Sequence, residues 1–146
     1  MNHTNNIIAF SKELTWDDLP FKVRDYTKLC LLDLLGVAAS GAGTKLSNIA
    51  CGYAALDMSG TIPMIFDGRK ASVAGVAMAG GMTIDSLDGH DGFNPAKGHA
   101  GCGLFPALYA VAQDNKSISG QQFLLTLAIG YELACRAALA LSLIRI

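Results

Sequence analysis

The sequence predicts an all-α protein, a helical bundle with one short β-like extended segment near 61–66. Two observations carry that prediction. Helix-start signals recur along the chain, and the apolar runs they open are of helix length. Only Thr61-Ile-Pro-Met-Ile-Phe66 is short and β-branched, and Asp67-Gly68 after it is a turn signal. A chain of 146 residues suits one domain, at about 100–200 residues each. No internal repeat, low-complexity stretch or flexible linker divides it.

Taken in order, residues 4–13 fit a short amphipathic helix with Ile7, Ile8 and Phe10 facing inward. Leu14 to Leu19 reads as a helix start. Thr15 caps, Asp17 and Asp18 suit the positive helix end, and Leu14 staples onto Leu19. Pro20 fits the first turn of the next helix, expected over 20–40. From Leu29 to Ala39 that helix is apolar nearly all round except for Asp33, the pattern of a core helix. Asp33 is accordingly expected as a buried carboxylate satisfied by backbone or an arginine. Gly41-Ala-Gly43 ends the helix, and a third follows over 44–58. The extended segment comes next, with no obvious partner strand. Residues 71–87 form a buried helix whose alanines and glycines permit close approach, weakened at Gly80-Gly81. Pro106 marks the first turn of a helix ending near Gln113. Ser119 with Gln122 makes a capping box, and Ile118 with Phe123 a staple, for a last helix running to Ile146. A chain ending inside an apolar helix reads as part of a longer protein.

Composition excludes several classes. Hydrophobic residues make up 51% and charged residues 16%, against about 25% charged in typical soluble proteins. Such a chain over-supplies core: either the domain is unusually buried, or it buries surface against a partner or more of its own length. The net charge of −1 and the lack of a basic stripe argue against nucleic acid and anionic membranes. The N-terminus lacks a signal-peptide pattern. The longest apolar runs carry Asp33, or Glu132 with Arg136, so no membrane span is expected. Cys30, Cys51, Cys102 and Cys135 lack disulfide or zinc-ligand spacing and read as reduced, mostly buried thiols of a cytoplasmic protein.

Asp85 to Pro106 is the chemical centre. This glycine-rich connection holds two of the chain's three histidines, with Asp85, Asp88, Asp91 and Lys97. Asp88 is expected at the C-terminal end of one helix, where the helix field disfavours a carboxylate and raises its pKa. His99 is expected just before the next helix, where the opposite field disfavours imidazolium. Those opposed shifts suit a proton-transfer pair. The backbone N–H groups from Ala100 to Gly103 can receive a carboxylate, and Lys97 adds positive charge. The bland alternative is a solvated loop of ordinary turn formers. Asp88, His90, Asp91 and His99 are all capable of ligating metal, but their spacing matches no signature, and no metal is assigned. Glu132 and Arg136 lie one helical turn apart and fit an intrahelical ion pair. The alternative is that Arg136 or Tyr131 reaches an anionic substrate.

Taken together, Leu32-Asp33-Leu-Leu-Gly36, Ile84-Asp85-Ser-Leu-Asp88, His99-Ala-Gly101, Leu104-Phe-Pro106-Ala-Leu and Gly130-Tyr131-Glu132 with Arg136 resemble the MmgE/PrpD family. That family includes 2-methylcitrate dehydratase, cis-aconitate decarboxylase and iminodisuccinate epimerase. The resemblance covers essentially the whole chain and implies the N-terminal part of a helical domain. It also implies a homodimer that needs no metal or organic cofactor and moves protons beside the carboxylates of small polycarboxylic acids. The family's active-site aspartate and histidine fall on Asp88 and His99, with Lys97, Tyr131 and Arg136 as substrate-binding candidates. The implied activity is a dehydratase-type lyase, with an epimerase of the same family or a non-catalytic helical assembly unit as alternatives. Two departures matter: Ala100 stands where the family often has proline, and Leu139 where the decarboxylase branch carries a second histidine. The latter argues against cis-aconitate decarboxylation. A lysine that members contribute from later sequence lies outside this chain.

Overall fold

The structure, a computed structural model, describes residues 3–143, with side-chain surroundings for residues 6–141. The architecture is all-α. The α-helices are α1 (His3–Glu13), α2 (Phe21–Gly41), α3 (Lys45–Asp57), α4 (Val73–Asp85), α5 (Gly101–Asp114) and α6 (Gly120–Leu143). The one described sheet is a two-stranded antiparallel ribbon of β1 (Ile62–Pro63) and β2 (Lys70–Ala71). Single 3₁₀ turns precede α2, at Trp16–Asp18, and α5, at Asn94–Ala96. The last three residues of the helix expected to reach Ile146 lie outside the described residues.

Local chemistry explains most of the helix starts. Thr44 Oγ1 accepts from the Ser47 N–H, and Ser72 Oγ from the Gly75 N–H, each quenching one of the free donors of a first turn. Ser119 and Gln122 exchange the reciprocal bonds of a capping box, at 2.9 and 3.2 Å. At the turn before α2, Asp18 rather than Thr15 is the acceptor, taking both the Thr15 N–H and its hydroxyl.

The core lies where α4 packs between α3 and α5. Cys51 and Ala54 of α3 meet Val76 and Ala79 of α4, with Ile62, Met64 and Ala71 from the ribbon. A second cluster joins Leu34 and Ala38 of α2, Ile84, Phe105 and Leu127. Helices α4 and α5 approach so closely that a methyl on Gly80 would come within 2.7 Å of Pro106 Cβ. Ser47 and Thr83 share a buried 2.7 Å hydrogen bond between α3 and α4.

Several expectations are corrected. The extended segment does have a partner: Ile62 pairs with Ala71 and Pro63 with Lys70, the chain turning back through Gly68 at φ +84°. Helix α5 starts at Gly101, and Pro106 sits inside it. The proline removes only the bond to the Cys102 carbonyl one turn back, and its ring packs on Gly80. Helix α2 is not a core helix among the described residues. It buries Thr27, Leu34, Ala38 and Gly41, while Leu29 and Leu32 are exposed and Asp33 lies on the open side with them. Ile7, Ile8 and Phe10 of α1 are likewise exposed. All four cysteines are free, but only Cys51 is buried. By length and hydropathy alone α6 would suffice to cross a bilayer. In the fold one side of it packs on α2 and α5 through Phe123, Leu127 and Tyr131.

Candidate active site

The connection from α4 to α5 folds back on itself. Asp85 ends α4, and Ser86 Oγ donates to the Thr83 carbonyl at 2.7 Å to close the last turn. The chain then turns sharply at Asp88, whose φ is +48°. An isolated antiparallel bridge joins Phe93 to Gly98, with the Asn94–Ala96 3₁₀ turn between them and Lys97 at φ +50°. Left-handed backbone is uncommon outside glycine and tends to mark sites where surrounding structure dictates the conformation. Among the described residues, two of the three non-glycine residues in that region belong to this loop. The fold-back delivers His99 onto the loop's first half, just before the Ala100 N-cap of α5.

The predicted pair meets. His99 Nε2 lies 3.7 Å from Asp88 Oδ1. The other ring nitrogen, Nδ1, lies 2.9 Å from the Asp91 carbonyl oxygen. A carbonyl only accepts, so Nδ1 carries the hydrogen and Nε2 of the neutral ring presents a lone pair toward Asp88. The pair faces water: the side chains of His99 and Asp88 are 34% and 87% exposed. Asp88 is not in the last turn of α4, where the electrostatic expectation placed it. Asp85 takes that position, and Asp88 follows three residues later.

Three further residues complete the surroundings: His90 and Asp91, which the sequence marked only as possible metal ligands, and Cys102, which it marked only as a thiol. His90 packs its ring against His99, centroids 4.1 Å apart. Its side chain is fully buried, its Nε2 is 3.4 Å from Asp85 Oδ1, and neither ring nitrogen has a hydrogen-bond partner. Asp91 anchors the loop from beneath. Its Oδ1 and the Tyr131 hydroxyl of α6 converge on the space left by Gly101. Burial pushes the Asp91 carboxyl above the usual carboxylate range, against the lowering influence of Tyr131. Burial also pushes the Tyr131 phenol upward, and the Asp91 carboxylate adds to that. The two groups feel each other electrostatically, yet both oxygens are buried without a properly aligned hydrogen bond. Cys102, in the first turn of α5, donates to the His99 carbonyl at 3.5 Å, and burial raises its thiol. No pairwise spacing links residue 91 to residue 131, so sequence carried no signal for that contact.

The remaining predicted site residues divide between two places. Lys97 is exposed on the loop, two residues before His99. Tyr131 and Arg136 line a mostly apolar cavity of about 1000 Å³ between α2 and α6, with Phe93, Cys30 and Leu139. Asp88, Lys97 and His99 are not among its walls. Phe93 and Tyr131 are the links between cavity and loop. Arg136 pairs with Glu132 one turn away, through both Nε and Nη2, as the intrahelical reading expected. Among the described residues, the cavity holds no histidine.

Residues 5–145 match the family described as MmgE/PrpD N-terminal domain. Cis-aconitate decarboxylase of Aspergillus terreus is 28% identical over 137 residues, covering 88% of this chain and 27% of that protein. The chain thus spans about a quarter of the length of that curated relative. No solved structure matches the chain.

Proposed function

The chain belongs to the MmgE/PrpD family, and from that premise we propose that it is the N-terminal helical part of a cofactor-independent, dehydratase-type lyase. Its substrate is a small di- or tricarboxylic acid. The observation that carries this reading is the fixed orientation of His99, with Nδ1 held by the Asp91 carbonyl and Nε2 turned to Asp88. Nε2 takes the proton from the carbon beside a substrate carboxylate. The released electron pair forms the carbon–carbon double bond as the carbon–oxygen bond breaks. Nε2 then passes that proton to the departing hydroxide, which leaves as water and returns the ring to its neutral form. Asp88, 3.7 Å from Nε2, is the partner that steadies the imidazolium between the two transfers. Epimerisation uses the same first step, with the proton delivered back to the opposite face.

We assign the substrate's carboxylates to Lys97, exposed two residues before His99, and to the N–H groups of the first turn of α5, which has no side-chain cap. Arg136 serves as a further anchor once substrate displaces it from Glu132, and Tyr131 bounds that side. The family's homodimeric, cytoplasmic habit is proposed for this chain as well.

The test uses protein expressed from the complete reading frame, incubated in D₂O with a panel of di- and tricarboxylates, 2-methylcitrate included. Deuterium is expected at the carbon beside a carboxylate, with loss of water from the turned-over acid. His99→Gln should cut both by about 10²–10⁴-fold, the usual worth of a general base. Turnover undiminished in that variant removes His99 from the mechanism. A non-catalytic assembly role draws on the exposed Leu29, Leu32, Ile49 and Leu56. It predicts self-association without turnover, and sedimentation of a stable monomer argues against it.

A further inference from the structure

We propose that Asp85, His90 and Cys102 form a binding site for one divalent cation of the zinc class. The inference stands on these three side chains and is independent of the reaction proposed above. Their donor atoms all lie within 4.8 Å of one another. His90 Nε2 and Asp85 Oδ1 are 3.4 Å apart. Two ligands on a tetrahedral zinc ion, with bonds of about 2.0–2.2 Å, stand about 3.3–3.5 Å apart. That pair is therefore at coordination spacing already, and the Cys102 sulfur, now 3.5 Å from the His99 carbonyl, lies within 4.8 Å of both.

The fold builds this convergence. Gly81 of α4 faces the backbone carbonyl of Cys102, so close that a methyl there would sit 3.2 Å from it. Asp85 is one helical turn further along α4 and shares that face. The end of α4 and the start of α5 are thus held side by side, and the loop between them drops His90 into the gap.

His90 supplies the independent observation. Its side chain is fully buried, aimed at Asp85, and both ring nitrogens lack a partner. Native proteins rarely leave buried polar groups in that condition. An ion at Nε2 provides the missing partner. The 3.4 Å approach to Asp85 is short enough for an ion pair with a protonated ring, but it makes no aligned N–H···O bond that would satisfy a neutral one. Thiolate, imidazole and carboxylate together select zinc-like ions over calcium or magnesium, which require oxygen ligands. Three protein ligands leave a fourth position for water. Bound there, the ion ties together the two ends of the loop that carries Asp88 and His99.

The experiment treats the 146-residue chain with a chelator, removes the chelator, and titrates with Co²⁺ as a spectroscopic stand-in for zinc. One equivalent should produce a thiolate-to-cobalt charge-transfer band, and Zn²⁺ should abolish it by displacement. Cys102→Ser should eliminate the band. Asp85→Asn, at an exposed carboxylate, should weaken the affinity at least about tenfold. Zinc at a hundredfold excess over its Kd should raise the melting temperature of the parent by about 5–10 °C, and that of Cys102→Ser by none. Absence of the band in the parent overturns the proposal. So does its survival in Cys102→Ser, which would assign it to Cys30, Cys51 or Cys135. If Cys102→Ser does not fold, Asp85→Asn decides: unchanged cobalt affinity overturns the site, and weakened affinity supports it.

Discussion

A methyl group added at position 101 tests whether the buried meeting of Asp91 and Tyr131 supports the loop. Gly101 opens α5 with an ordinary helical backbone, so alanine there meets no backbone strain. The methyl would instead stand 2.5 Å from Asp91 Oδ1, 2.8 Å from Leu34 Cδ2, and closer still to the Tyr131 hydroxyl. Ordinary contact begins at 3.4 Å, so all three neighbours must retreat. None is free to do so: Leu34 is fully buried, and the two oxygens are buried on separate elements. Overpacking of this kind costs about 1–3 kcal/mol. Gly103 provides the control two residues along, since a methyl there meets nothing within 4 Å. Gly103→Ala should gain up to about 0.5–1 kcal/mol of helix propensity. The two variants should therefore differ by about 1–4 kcal/mol, or roughly 3–15 °C in melting temperature for a chain of this size. Thermal unfolding followed by far-ultraviolet circular dichroism reads the difference. Because the Asp91 carbonyl holds His99, Gly101→Ala should also impair turnover out of proportion to its stability. A Gly101→Ala protein as stable as Gly103→Ala would refute the placement of residues 91 and 131.

Three further perturbations read other parts of the fold. Arg69 binds both oxygens of Asp67 at 2.6 Å, and these bonds hold the Asp67 carboxyl below the usual carboxylate range. A depressed folded-state pKa gives stability that is present above the unfolded value, about 3.9, and lost as pH falls through the folded one. Asp67→Asn should therefore cost about 1–2 kcal/mol at neutral pH, a deficit that shrinks as pH falls through the folded-state value; a deficit that stays constant in melts down an acid series would contradict this. Thr83→Val strands the buried Ser47 hydroxyl, leaving it only the distant Cys51 sulfur at 4.0 Å, and should cost about 1–3 kcal/mol in denaturant unfolding. Arg136→Ala should change stability by less than about 0.5 kcal/mol, because the pair it breaks is exposed. Its anchoring role predicts about a tenfold rise in KM for the carboxylate substrate; an unchanged KM removes Arg136 from the site.

The legible parts of this fold were those written in local chemistry. Ser119 with Gln122 announces a helix because a side-chain oxygen satisfies a neighbouring N–H, and that needs no tertiary information. Thr44 and Ser72 cap by the same chemistry, though the sequence did not single them out. Asp88 and His99 were legible as a pair because titratable groups crowd a glycine-rich connection. Where the sequence misled, long-range packing decided. Pro106 resembled a helix start, yet α5 begins five residues earlier because its ring fits against Gly80 of α4. The partner of β1 is the two-residue Lys70–Ala71, too short to show any alternation. The inward face assigned to α1 and the core role assigned to α2 assumed that apolar residues find cover, whereas Ile7, Leu29 and Leu32 remain exposed. Asp91, His90 and Tyr131 acquired their surroundings only when α6 and the loop came together.

The most direct test of the account is the tautomer of His99, read by long-range proton–nitrogen correlation in nitrogen-15-labelled protein at a pH where the ring is neutral. The geometry predicts that Nδ1 carries the hydrogen, donated to the Asp91 carbonyl, and that Nε2 is bare toward Asp88. A ring protonated at Nε2 would leave no base facing Asp88 and would contradict the proton-transfer pair.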